Sequence, residues 1–242
     1  MATPASTTVP SKASTSAMNA VRGFRLPAGL DPDTLRQLEA VAATRTRLKK
    51  GGILYEVGGH FHALFAIRLG SCKTTMLAED GREQISGYHI VGDMIGLDGI
   101  GTDVHACQAV AMEDTEVCAL PFDRLESLAR ADVRLQHNLH QLLSCEIARE
   151  ENTMLLLGTM RGEERLAAFL LNLSERYEGR GYSPIEFVLR MTREEIGSYL
   201  GLKLETISRL FSRFQEQGLL QVQGRVVKLL DVVALKQLAG HR

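Results

Sequence analysis

Eleven of the chain's 22 glycines fall between residues 51 and 101, and none falls between Asp132 and Leu157. One architecture does not produce both textures. In the first stretch glycine separates short runs, Ile53–Val57, Leu64–Leu69, Cys72–Leu77 and Gln84–His89. Strand-length runs punctuated by Gly every roughly 8–12 residues indicate an antiparallel roll or barrel. Gln108–Ala111 and Thr115–Leu120 read as its closing strands. In the second stretch Leu135, Leu139, Leu142, Leu143, Ile147, Met154 and Leu157 keep a helical period, with no Pro to interrupt it. Within it Leu139, Leu143, Ile147, Glu150, Met154 and Leu157 form a narrow seam of coiled-coil type, which points to a dimerisation helix. A helix packed only on its own roll is the competing reading. Glu150 interrupts the seam, and in a parallel pair it would lie near its twin and weaken association.

The flanks differ again. Residues 1–20 hold 13 Ala, Ser or Thr, Pro4, Pro10 and a single charge at Lys12. That composition lacks the apolar stretch of a secretory signal and reads as a disordered arm. Asp31–Ala43 reads as a short helix with Leu35, Leu38 and Val41 on one face and Asp31-Pro32 at its start. After a hinge near Gly158–Gly162, Glu163–Tyr177 reads as helix, Ile185–Leu189 as strand, Thr192–Leu200 and Lys203–Gln217 as helices, and Leu219–Leu229 as a hairpin turning at Gln223-Gly224-Arg225. No fixed-period repeat is present. The plan is α+β: an arm over 1–25, a β-roll over 26–130, a dimerisation helix and hinge over 131–160, and a helix-turn-helix unit over 161–242.

Composition excludes several classes. At 45% apolar and 24% charged over 242 residues the chain can bury a real core. No apolar run approaches the roughly 18 residues of a membrane helix. Four Cys without paired short spacing suit a reducing cytoplasm rather than a secreted disulfide framework. There is no nucleophile–base motif, phosphate-binding Gly loop or complete metal set, so no enzyme is expected. His60 with His62, or His105 with Cys107, supply too few ligands for a metal site.

The net charge of −1 argues against a nucleic-acid partner until it is divided. Residues 1–160 carry 15 Lys or Arg against 19 Asp or Glu, whereas residues 161–242 carry 13 against 10. The mildly basic third contains the most informative segment. Thr192-Arg193-Glu194-Glu195 is a capping box that starts a helix. Ile196 and Leu200 supply its apolar face, Gly201 permits a sharp turn, and a second helix follows at helix-turn-helix spacing. In that second helix Ile207, Leu210 and Phe214 point inward while Glu205, Ser208, Arg209, Ser212 and Arg213 share the opposite face. A surface helix needs a polar face in any case, but this one mixes chemistries suited to base edges: Arg for guanine, Glu for the cytosine amine, Ser for several partners. Arg213, with Arg225 and Lys228 on the hairpin, would neutralise phosphates. The DNA-contacting set is therefore Thr192, Glu205, Thr206, Ser208, Arg209, Ser212, Arg213, Arg225 and Lys228.

Met191-Thr192-Arg193-Glu194-Glu195-Ile196-Gly197-Ser198-Tyr199-Leu200-Gly201-Leu202, followed by Glu205-Thr206-Ile207-Ser208-Arg209-Leu210, resembles the DNA-binding signature of the CRP/FNR regulators, in their FNR-type branch. Glu163-Glu164-Arg165-Leu166-Ala167-Ala168-Phe169, Gly92-Asp93-Met94-Ile95-Gly96 and Cys118-Ala119-Leu120-Pro121-Phe122 extend the likeness from about Leu26 to the C-terminus. The resemblance implies a cyclic-nucleotide-binding-like β-roll, a long dimerisation helix and a winged helix-turn-helix. It carries DNA reading over to Glu205, Ser208 and Arg209. It further implies a homodimeric, cytoplasmic transcription activator that binds TTGAT-type half-sites on double-stranded DNA, recruits RNA polymerase and responds to oxygen or redox state.

The signal-receiving parts depart from the family pattern. FNR-type sensors hold a [4Fe–4S] cluster on three N-terminal Cys and one central Cys, since thiolates are the usual ligands. Here the N-terminal positions fall on Ser16, Asn19 and Arg25, and only Cys118 has a counterpart, so no cluster is expected. Cys107 and Cys118 are read as lying on adjacent strands, a candidate redox pair. A cyclic nucleotide would need a Gly-Glu turn and a phosphate-gripping Arg; the turn is matched to Gly92-Asp93, and His105-Ala106-Cys107-Gln108-Ala109 has no Arg. Without that cation cAMP is not expected either, and no cofactor is assigned. The tip Glu79-Asp80-Gly81-Arg82 resembles a polymerase-contacting turn. Two alternatives stay open: a CRP-like regulator answering another small effector, and a cyclic-nucleotide-type signalling module that does not bind DNA.

Overall fold

Asp31 accepts hydrogen bonds from the amides of Asp33 and Thr34 at 2.9 and 3.2 Å, which caps helix α1 (Pro32–Val41) with Pro32 in its first turn. The structure, a computed structural model, describes residues 31–42, 44–77, 81 and 83–240. The expected arm, with Ser16, Asn19 and Arg25, lies outside the described residues, as do Glu79, Asp80 and Arg82 of the hairpin tip.

Eight strands follow: β1 (Arg45–Leu48), β2 (Ile53–Tyr55), β3 (Ala63–Leu69), β4 (Ser71–Leu77), β5 (Glu83–Ile90), β6 (Met94–Ile95), β7 (Gln108–Ala111) and β8 (Thr115–Pro121). They form two four-stranded antiparallel sheets in the orders β1-β8-β3-β6 and β2-β7-β4-β5. Six of the eight coincide with the glycine-bounded runs. Strand β1 was not recognisable because Arg45-Thr46-Arg47 has no apolar face of its own. It is held by cross-strand charge: Arg47 and Arg68 approach the buried carboxylate of Glu116 at 2.9 and 3.0 Å, and Arg45 lies at 3.9 Å. At the tight β3–β4 turn Gly70 has φ +84°, and a Cβ there would meet the Thr115 hydroxyl oxygen at 2.4 Å, so only glycine fits.

Helix α2 (Phe122–Ala131) closes the roll, Asp132 caps the next helix through the amide of Arg134, and α3 (Val133–Thr159) runs for 27 residues, about 40 Å. After the extended residue Met160 the C-terminal unit comprises α4 (Gly162–Glu178), β9 (Glu186–Val188), α5 (Arg193–Leu200), α6 (Leu204–Glu216), β10 (Leu220–Gln223), β11 (Val226–Leu229) and α7 (Val232–Leu238). The expected hairpin is present but β9 joins it, giving a three-stranded sheet in the order β10-β11-β9. Helix α7 was not foreseen. Leu166, Leu170, Leu173, Ile196, Leu200, Ile207 and Phe214 are fully buried at the centre of this C-terminal unit.

The two units are joined by more than a hinge. Ile85, Tyr88, Ile90 and Met112 of the roll belong to the same apolar cluster as the C-terminal core. Around that contact Lys73 pairs with Glu195 at 2.8 Å, Arg190 with Glu113 at 3.0 Å, and Asp93 receives both Arg176 of α4 and Arg180 just beyond its end. Ser198 of α5 accepts a hydrogen bond from the amide of Ile85 at 3.0 Å.

Candidate nucleic-acid interface

The capping box forms as its spacing predicts. The Thr192 hydroxyl accepts from the amide of Glu195 at 3.1 Å, and the Glu195 carboxylate accepts from the amide of Thr192 at 2.8 Å. Thr192 is exposed. Burial alone would raise the Glu195 carboxyl, but Lys73 and Thr192 bonding to it hold it below the usual carboxylate range. Gly201 ends α5 in the left-handed region (φ +63°), and Leu202 turns back to donate to the carbonyl of Gly197 at 2.8 Å.

That turn delivers α6 with its apolar face inward. Ile207, Leu210, Phe211 and Phe214 are buried, while Glu205, Ser208, Arg209, Ser212 and Arg213 are exposed and Thr206 is half-buried. Arg209 lies along the helix, its Nε donating to the carbonyl of Glu205 at 3.3 Å, and Ser212 donates to the carbonyl of Ser208 at 3.2 Å. No side-chain ion pair occupies Arg209 among the described residues, so its guanidinium can swing outward. Arg213 differs: it is ion-paired to Glu163 of α4, and a phosphate would have to compete with that carboxylate. Arg225 at the hairpin turn and Lys228 on β11 are exposed. The hairpin is tied to the helix, since Val222 of β10 donates to Gln215 Oε1 of α6 at 3.0 Å.

Two further arginines have roles set by partners outside their own helices, which the sequence reading did not find. Arg193 lies over the ring of Phe211, 3.2 Å from its centroid, and burial pushes its pKa down to about 10. Arg165 of α4 donates to three backbone carbonyls.

The roll, by contrast, keeps its polar groups inside. A cavity of about 650 Å³ opens between β4, β5, the Gly96–Asp98 turn and α3, with His89, Cys107, Arg149 and Tyr199 on its walls. His89 is buried, with Nε2 3.2 Å from the Thr74 hydroxyl and Nδ1 without a hydrogen-bond partner. Burial, reinforced by Arg149, depresses its pKa to about 3 and keeps it neutral. The α3 seam is divided between two environments. Leu139 packs with Leu142 on the roll's core, whereas Leu143, Ile147, Glu150, Met154 and Leu157 border the cavity. Of these, Ile147 and Met154 remain 57% and 65% exposed, beside Leu155 at 56%.

Family comparisons agree with this arrangement. The cyclic nucleotide-binding domain model matches residues 45–132, and the Crp-like helix-turn-helix domain model matches residues 164–238. The chain is 45% identical over 216 residues to the transcriptional regulatory protein Btr of Bordetella pertussis, covering 89% of each. It is 43% identical to the fumarate and nitrate reduction regulatory protein of Escherichia coli, covering 89% of this chain and 86% of that one. The chain belongs to the CRP/FNR family. It is an FNR-type transcriptional regulator with a helix-turn-helix DNA-binding domain. Among solved structures, FixK2 from Bradyrhizobium japonicum superposes with a TM-score of 0.75 at 33% identity, covering 81% of this chain and 96% of that one. Among the described residues no helix is long and apolar enough to cross a membrane.

All four Cys are described: Cys72, Cys107 and Cys118 are buried and Cys145 is exposed on α3. Among the described residues no group of three or more His, Cys, Asp or Glu is placed to share a metal ion. The reading of Cys107 and Cys118 as neighbours is corrected here. Chain-adjacent β7 and β8 fall in opposite sheets; Cys118 packs with Leu64 and Leu120, and Cys107 with Tyr55 and Ile67. The Cys107 thiol donates to Asp98 at 3.4 Å, and burial, then Asp98, push its pKa up to about 12, away from a reactive thiolate. The match of Gly92-Asp93 to a nucleotide-gripping turn is also corrected. The cavity is bordered by Gly96, Leu97 and Asp98, whereas the Asp93 carboxylate turns to Arg176 and Arg180. Ala106 and Cys107 border the cavity, and Arg149 on α3, which also lines it, is paired with Glu146.

Proposed function

We propose that two copies pair along α3 and that the pair reads a two-fold DNA site with TTGAT-type halves. The observation that carries this reading is the exposed face of α6, where Glu205, Ser208 and Arg209 stand over a fully buried apolar face. Bidentate Arg contacts to guanine and Glu contacts to cytosine suit the G·C pair of each half. Thr192, Thr206, Ser212, Arg225 and Lys228 flank this face as backbone contacts, with Arg213 joining once it leaves Glu163. Pairing is supported by Ile147, Met154 and Leu155, exposed apolar side chains on a helix long enough to hold a coiled-coil seam. The dimer acts in the cytoplasm, recruits RNA polymerase and alters transcription with oxygen or redox state, without catalysis of its own. The test is gel retardation of a TTGAT-containing duplex. Arg209→Ala abolishes the shifted band while sedimentation still shows a dimer; unchanged retardation would refute the assignment of the reading helix.

The cavity favours a second reading of the input alone, a small effector seated between roll and α3 in place of a cluster. An absorption spectrum and iron assay on protein purified without oxygen separate the two. Stoichiometric iron with a cluster band favours the cluster, and iron-free protein that still binds DNA favours the effector.

A further inference from the structure

The reading head is useful to a dimer only if its angle to the dimer axis is fixed, because two half-sites on DNA have a set separation and rotation. Besides the roll's own contacts with the head, one side chain ties together the three backbone segments where the dimer helix hands over to the head. The Arg165 Nε donates to the carbonyl of Met160 at 2.9 Å, one terminal nitrogen to Leu200 at 2.9 Å and the other to Leu157 at 2.8 Å. These carbonyls belong to the extended link, to the last residue of α5 and to the last turn of α3.

Their geometry suits a guanidinium and little else. Leu157 would ordinarily accept from the amide four residues on, Arg161, but that amide is taken by the Glu164 carboxylate at 2.8 Å in the cap of α4. The C-terminal ends of α3 and α5 each present partial negative charge, and a cation placed at both is stabilised by both. Gly201 completes the site. A Cβ there would come 3.3 Å from the Arg165 terminal nitrogen, so its bare backbone lets the guanidinium reach Leu200. A planar fork of five N–H donors can address three segments in different directions; a lysine ammonium keeps the charge but not the fork.

We propose that Arg165 is the positioning residue that sets the angle between the dimer helix and the reading helix, and thereby the half-site spacing the protein accepts. This rests on the dimeric reading above. Arg165 lies on α4 and commits its guanidinium to three backbone carbonyls, so it acts through α5 and α6 rather than on bases.

The experiment uses the full chain and a series of duplexes carrying two TTGAT halves whose separation grows by one base pair at a time. Each added base pair rotates one half by about a tenth of a turn. Wild type shows one preferred spacing, with neighbours weaker by about tenfold or more. Arg165→Lys and Arg165→Gln bind the preferred duplex more weakly and flatten the profile to within about threefold, while sedimentation shows dimers and the C-terminal unit still unfolds cooperatively. A spacing profile as sharp as wild type's in either variant overturns the proposal, and so does loss of cooperative unfolding in both, which would make Arg165 a folding residue. Failure of wild type to bind any duplex overturns the dimeric reading as well, so the two failures are distinguishable.

Discussion

The reading head and the β-roll place their polar groups in opposite ways. In the head, Ile207, Leu210 and Phe214 are buried and Glu205, Ser208, Arg209 and Ser212 face outward, as in any amphipathic helix. In the roll, His89, His105, Glu116 and Thr74 are buried, and His89 and His105 each keep a ring nitrogen with no hydrogen-bond partner. A buried polar group costs free energy unless it is satisfied, so such groups persist where something beyond packing retains them. The outward set leaves its polar groups open to a partner, whereas the inward set is closed off from one. Asp93 connects them, since its turn leads into the cavity wall at Met94 and its carboxylate holds α4 of the head.

Breaking that connection has the largest expected effect. Asp93→Asn leaves Arg176 and Arg180 without their shared anion in a largely buried site, a change that typically costs about 3–5 kcal/mol. Thermal unfolding of the variant is expected to show a lower midpoint and separate transitions for roll and head. Burial would raise the Asp93 carboxyl, but the two arginines more than reverse this and hold it below the usual range. Its contribution is therefore complete above about pH 4 and is lost only as pH falls further.

His89 should act in a different pH window. Its folded pKa is depressed to about 3, against about 6.5 unfolded, so the unfolded chain binds the extra proton between those values. Stability is complete above about pH 6.5 and falls with acidification, by about 2 kcal/mol at pH 5. Denaturant titrations at pH 7 and pH 5 measure this, and His89→Gln is expected to remove most of the difference. A smaller effect belongs to the head alone. Thr192→Ala removes the cap of α5 and is expected to lower stability by about 1 kcal/mol in the same titration. The smallest concerns pairing: Glu150→Ala removes a like charge from the seam and is expected to tighten the dimer by about 0.5 kcal/mol, read by sedimentation equilibrium.

The same contrast explains what could be read from sequence. The capping box, the Gly201 turn and the polar face of α6 involve residues within about two helical turns of one another, so local rules suffice. Strand β1 depends on Glu116, which lies 69 residues from Arg47, and the charge cluster that holds it has no local signature. Cys107 and Cys118 were misplaced because chain order does not reveal which sheet a strand joins when a roll closes. Gly92-Asp93 was matched to the wrong role because a carboxylate after a Gly turn suits a ribose or an Arg pair equally, and only the docked α4 decides. The α3 seam was legible as a stripe, but its division between roll, cavity and solvent depends on how far the roll extends along the helix.

The central claim is that two exposed α6 helices, held by one α3 pair, read one two-fold site. The most direct measurement is the stoichiometry and affinity of the full chain, purified without oxygen, on a duplex with two TTGAT halves and on one with a single half scrambled. Two chains per intact duplex are expected, with a loss of at least about a hundredfold when one half is scrambled. One chain per duplex, or equal affinity for both duplexes, would contradict the claim.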